Sequence, residues 1–139
     1  MTFEIDINEI IKLRILILFY AYKKEFEGDI FIGNKKQFDE IGLDFTDNKI
    51  RFVLGYLVDD GYLRGSSTTT RGGRITCASG ITPLGQRTVE NIIKKSDVKD
   101  DQNQDVTVLD KVKSCIQTLD VCAEFIKIGA TIFKDFQLG

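Results

Sequence analysis

The chain has 139 residues, 42% of them hydrophobic, and a formal net charge of -2. That composition supports one compact domain with an apolar core and excludes a disordered or collagen-like chain. Histidine is absent, which removes the usual general base near neutral pH, the Ser-His and Cys-His nucleophile pairs and the commonest zinc ligand.

Neither a Walker-type phosphate loop nor a dinucleotide glycine fingerprint occurs. The expectation is therefore a protein that is not an enzyme and uses no cofactor or metal. The start, "MTFEIDINE", is acidic and unlike a secretory signal. The apolar run Ile15–Tyr22 is far short of the roughly 20 residues that span a bilayer. Three cysteines without metal-type spacing fit reduced thiols, so a cytoplasmic location is expected, with no membrane partner.

Asp6 and Glu9, three apart, fit a capping box ahead of a first helix. Ile10, Ile11, Leu13, Ile17, Leu18 and Tyr22 cover so much of its circumference that burial on more than one side is predicted. Gly28 is placed to end it. The short segment "DIFIG" leads to Asn34, an N-cap for a second helix, "KKQFDEI", which Gly42 ends. Thr46 or Asp47 caps a third helix running to about Asp60. Its inner face is Ile50, Val53, Leu54, Leu57 and Val58. Two short helices joined by about four residues match the helix-turn-helix pattern.

Next come "GYLR" and "RITCASGI", both strand-like, with Gly72-Gly73 between them as the centre of a hairpin turn. In that register Arg71 faces Arg74 and Thr70 faces Ile75. Thr82 as N-cap and Pro83 at the first helical position then open a fourth helix, "LGQRTVENIIKK".

The order helix, helix, helix, basic hairpin, helix is that of a winged helix. "LGYLVDDGYLRG", followed by "GITPLGQRTVENI", resembles the third helix, two wing strands and following helix of small winged-helix regulators of bacteria and archaea. The resemblance covers about residues 5–95. It implies DNA binding with the third helix in the major groove.

Charge is unevenly placed. Residues 61–95 carry six Lys or Arg against one acid, whereas the segments on either side are net negative. A basic stretch in an acidic chain points to nucleic acid more firmly than its net charge does. Asn48, Lys49 and Arg51, at the start of the third helix, are candidate base-edge contacts, and Arg64, Arg71 and Arg74 are candidate backbone or minor-groove contacts. Phe52, Tyr56 and Asp59 share the outer face of that helix. Asp59 would repel phosphate, and Phe52 with Tyr56 supports a rival reading as anchors of a protein–protein assembly module.

Residues 96–105 are polar and acidic and are expected to be a linker. Over 106–139 the positions Val108, Val112, Cys115, Leu119, Cys122, Ile126, Gly129, Phe133 and Phe136 alternate spacings of four and three. That is a heptad seam, and it predicts one long coiled-coil helix pairing two copies. The predicted dimer contacts are Val108, Val112, Cys115, Leu119, Cys122, Ile126 and Phe133. The fold expected is mainly α with a small β-hairpin: a winged helix-turn-helix over 1–95 with a C-terminal dimerisation helix. The function expected is that of a homodimeric transcription regulator binding double-stranded DNA.

Overall fold

A computed structural model describes residues 7–96 and 108–133, with the side chains of Thr69, Thr70 and Arg74 outside the described set. It is mainly α-helical. In chain order the elements are α1 (Ile7–Phe26), α2 (Lys35–Glu40), α3 (Asn48–Asp59), β1 (Leu63–Thr70), β2 (Gly73–Ile81), α4 (Pro83–Ser96), α5 (Val108–Thr118) and α6 (Ala123–Ile132). Asp6, the expected start of the capping box, and the expected linker from residue 97 onward lie outside the described residues.

The element boundaries follow from local chemistry. Asn34 Oδ1 accepts from the Gln37 N–H at 2.9 Å, and Asp47 Oδ1 from the Lys49 N–H at 2.9 Å, so each supplies a partner to an orphan donor at a helix start. Thr82 Oγ1 accepts from the Gly85 N–H at 3.0 Å while donating to the Gly61 carbonyl at 2.5 Å. One hydroxyl therefore caps α4 and ties it to the turn after α3. Gly28 and Gly42 end their helices at φ +75° and +74°.

Helix α1 is the core of the molecule. From Ile10 to Tyr22 every residue except Lys12 is buried. Helices α3, α4, α5 and α6 and strand β2 all pack on it, and α4 also meets α5 and α6. This enclosure takes in Arg14, which is only 1% exposed. Its guanidinium lies over the Tyr56 ring, 3.3 Å from the centroid, with the Phe133 ring at 5.6 Å. The cation thus sits against aromatic faces that attract it electrostatically.

The segment 30–33 is held on both sides. Gly80 N–H donates to the Phe31 carbonyl at 2.9 Å, which joins the segment to β2. From the other side, Gln37 Oε1 accepts from the Ile32 and Gly33 N–H groups and its Nε2 donates to the Ile30 carbonyl.

The hairpin register differs from the sequence expectation. Thr70 pairs with Gly73, Thr69 with Arg74 and Thr68 with Ile75, so Arg71-Gly72 forms the turn and Arg71 does not face Arg74. The cause lies at the base, where buried Leu63 pairs with buried Ile81. The expected register would have set Leu63 opposite partly exposed Thr82. A bulge between Leu63 and Gly65 carries the shift. Gly65 has φ +151°, and a Cβ there would lie 2.0 Å from the Cys77 carbonyl oxygen, so the bulge requires glycine.

The C-terminal segment also departs from expectation. Instead of one long helix, α5 ends at Thr118 and Leu119 turns the chain at φ +51°. The Leu119 and Asp120 N–H groups close on the Ile116 and Cys115 carbonyls, both at 3.3 Å. The two short helices fold back on α1. Phe125 meets Phe19 edge-on at 6.0 Å, and Gly129 lets α6 approach so closely that a Cβ would lie 3.0 Å from both Ile11 and Ile15. Within the expected seam, Val112 and Phe133 are completely buried in their own chain, while Val108, Cys115, Leu119 and Ile126 are half-buried against the same core. Cys122 is exposed. Phe136 lies outside the described residues. The apolar surface that predicted a second copy is largely spent on α1, because folding back buries it without losing the freedom of a partner.

Candidate nucleic-acid interface

Helix α3 turns Ile50, Val53, Leu54 and Leu57 inward, which fixes what its outer side can present. Gly55 is buried as well. The outer surface is therefore concentrated in the first turn and a half, where Asn48, Lys49, Arg51 and Phe52 are exposed. Asp47, not Asn48, accepts the capping hydrogen bond, so the Asn48 amide is not used as the cap. Lys49 Nζ is 3.2 Å from Glu9 Oε2 of α1. That exposed pair is worth little energetically, yet it offsets the lysine charge at the surface.

Arg51 points toward the hairpin. It lines a groove of about 50 Å³ with Phe45, Leu54, Ile75 and Thr76, so the start of α3 and strand β2 meet there. Ile75 is 52% exposed on the groove's strand side. Sequence reasoning did not select Phe45 or Ile75 for the site. Ile75 was visible only as one apolar residue of a strand, and its position beside Arg51 depends on how the hairpin packs on α3.

Arg64 and Arg71 are both exposed. They stand at opposite ends of β1, seven residues or roughly 23 Å apart at strand rise, so the structure does not gather them into one cluster. The backbone of Arg74 pairs with Thr69 near the tip, and its side chain lies outside the described residues. Of the hairpin hydroxyls, Ser67 and Thr76 bond each other across the strands at 3.1 Å, while Ser66 and Thr68 are exposed. Helix α4 adds exposed Arg87, Lys94 and Lys95.

Acidic groups border the surface. The Asp44 carboxyl is held below its ordinary range by hydrogen bonds from the Thr46 hydroxyl and the Thr46 backbone N–H, so it stays charged beside the start of α3. Asp59 and Asp60 are exposed at the far end of the helix. These carboxylates stand before α3 and at its end, with Arg51 between them.

Tyr56 does not serve as an exposed anchor. It is half-buried, stacked near Tyr62 at 6.3 Å, edge-on to Phe133 at 6.1 Å and covering Arg14. The assembly reading that paired it with Phe52 loses this member. Burial of Arg14 left no signal in the sequence, where an arginine among isoleucines reads as one polar position on a helix.

All three cysteines are free, with Cys77 and Cys122 exposed. Burial, with smaller contributions from Cys122 and Asp120, pushes the Cys115 thiol up to about 11, so it is unreactive as a thiolate at neutral pH. Among the described residues no group of three or more His, Cys, Asp or Glu could hold a metal ion. None of the described helices is long and apolar enough to cross a membrane. Comparison of the chain with protein-family models, curated proteins and solved structures gives no match.

Proposed function

We propose that this chain is a winged-helix protein that binds double-stranded DNA in a sequence-specific manner as a transcription regulator. In this reading the start of α3 enters the major groove and the hairpin lies along the backbone or in the minor groove. The observation that carries it is the groove joining Arg51 to Ile75 and Thr76, because it makes the exposed end of α3 and the basic hairpin one surface. Arginine has the fork geometry that reads guanine or grips phosphate. The hairpin carries no acidic residue between Arg64 and Ile81.

The reading concerns a single chain. Val112 and Phe133 are enclosed in their own chain, so a second copy reading a paired half-site would not be held by burying these two residues.

The test is binding to a random-sequence duplex, followed by fluorescence anisotropy across a salt series. Contacts from Arg51, Arg64 and Arg71 predict a slope of log K against log salt of roughly -3. Failure to bind at low salt would remove the proposal.

A further inference from the structure

We infer that Phe52, beside Arg51, makes this surface selective for the 5-methyl group of thymine, so that the preferred ligand is thymine-containing duplex DNA. The inference rests on the DNA-binding reading above and deepens it.

Phe52 is 57% exposed and closes the accessible first turn and a half of α3. Its surroundings decide what it can bind. On the same stripe, Asn48 lies one turn before it and Gly55, buried and without a side chain, one turn after. Arg51 is its chain neighbour, and Asp59 follows two turns on. Phe52 is thus the one exposed apolar side chain of α3. Stable protein interfaces cover about 800 Å² on each partner, with several apolar residues clustered at the centre. A ring standing alone meets that need poorly, and Tyr56, the residue that would have enlarged the patch, faces its own core.

A base methyl needs only one ring. In the major groove, thymine is the base that presents a methyl group, and apolar side chains including phenylalanine read it by contact. Arg51, next in the chain, supplies the positive charge that holds a phosphate or a guanine edge nearby. Duplex RNA is disfavoured on two counts, since uracil lacks the methyl group and the A-form major groove is too narrow for side-chain reading.

The experiment compares alternating poly(dA–dT) with alternating poly(dA–dU), two duplexes that differ by the 5-methyl group. Wild type should prefer the methylated duplex by about fourfold per contacted methyl, the ratio that burying one such group produces. Phe52→Ser, a change at an exposed position, should bind both duplexes equally with its salt slope unchanged. Arg51→Ala should keep the methyl preference and lose about one unit of slope. Poly(dG–dC) with and without 5-methylcytosine provides an independent check, because the added methyl occupies the same place in the groove. It should raise wild-type affinity and leave Phe52→Ser unmoved. Equal wild-type binding to both members of each pair, or a methyl preference that survives Phe52→Ser, overturns this inference while leaving the DNA-binding reading intact. Failure to bind any duplex at low salt overturns both.

Discussion

Replacing Phe133 with alanine tests whether the C-terminal helices belong to the core of their own chain. Phe133 is completely buried. Its ring meets Tyr62 at 5.4 Å and Tyr56 at 6.1 Å, both edge-on at 82°, and lies 5.6 Å from the Arg14 guanidinium. Truncation removes the transfer energy of the ring, leaves a cavity between helices and discards two aromatic pairs. Core Phe→Ala changes cost about 3–5 kcal/mol, and the aromatic pairs place this one near the middle or above, at about 4 kcal/mol. For a chain of this size that lowers Tm by roughly 12–16 °C. Urea unfolding followed by circular dichroism measures it, repeated at widely separated protein concentrations, with sedimentation equilibrium on both proteins. The structure predicts a large loss of stability that does not depend on concentration and an unchanged oligomeric state. A dimer seam predicts the reverse, because stability that comes from association depends on protomer concentration. If Phe133→Ala costs less than about 1 kcal/mol, or if its main effect is to dissociate a dimer, the packing described for α6 is wrong.

Four further outcomes are expected. Gly65→Ala should destabilise the chain by at least about 2 kcal/mol and disturb the hairpin amide signals in NMR spectra, because its Cβ would overlap the Cys77 carbonyl at a φ that side chains rarely adopt. Asp47→Ala should cost about 1 kcal/mol in chemical denaturation through loss of the α3 cap, whereas Asn48→Ala, which removes no cap, should cost little. Burial first, and then Glu90, push the Tyr22 phenol up to about 12. The neutral hydroxyl is thus favoured in the fold, and its contribution, complete below the ordinary phenol value near 10, is lost as pH rises through about 12. Ultraviolet difference titration should show this phenol ionising late, and an ordinary titration of Tyr22 would contradict its placement. Arg51→Ala with Arg71→Ala should leave the thermal transition unchanged, weaken binding to random duplex broadly and flatten its salt slope by about two units. An unmoved slope would take these arginines out of the contact.

Much of the candidate site was legible from residues close together in the chain. Asn48, Arg51, Arg64 and Arg71 are exposed as a solvated helix face and hairpin require. The joining of Arg51 to Ile75 and Thr76 was not legible, because it depends on the angle at which the hairpin leaves α3 and on the register that the Leu63–Ile81 pair imposes. Nor was the Lys49–Glu9 pair, whose members are 40 residues apart.

The sequence by itself determined the positions of the first four helices and the place of the hairpin in their order, because the helix boundaries are set by groups within three residues of each other. Asn34, Asp47 and Thr82 cap their helices through such bonds, and Gly28 and Gly42 turn the chain where their φ allows. Only the tertiary structure decided the fate of residues 108–133. A heptad pattern states which side chains are apolar and leaves open what buries them. The segment "TLDVC" contains neither glycine nor proline to announce a break. Helix α1 is apolar on nearly every side, and α5 and α6 join α3, α4 and β2 in covering it. Burying both surfaces at once outweighs the cost of about 1–2 kcal/mol for holding Leu119 in the left-handed region. The same enclosure drew in Arg14, whose charge is accommodated by rings that come together only once the chain has folded.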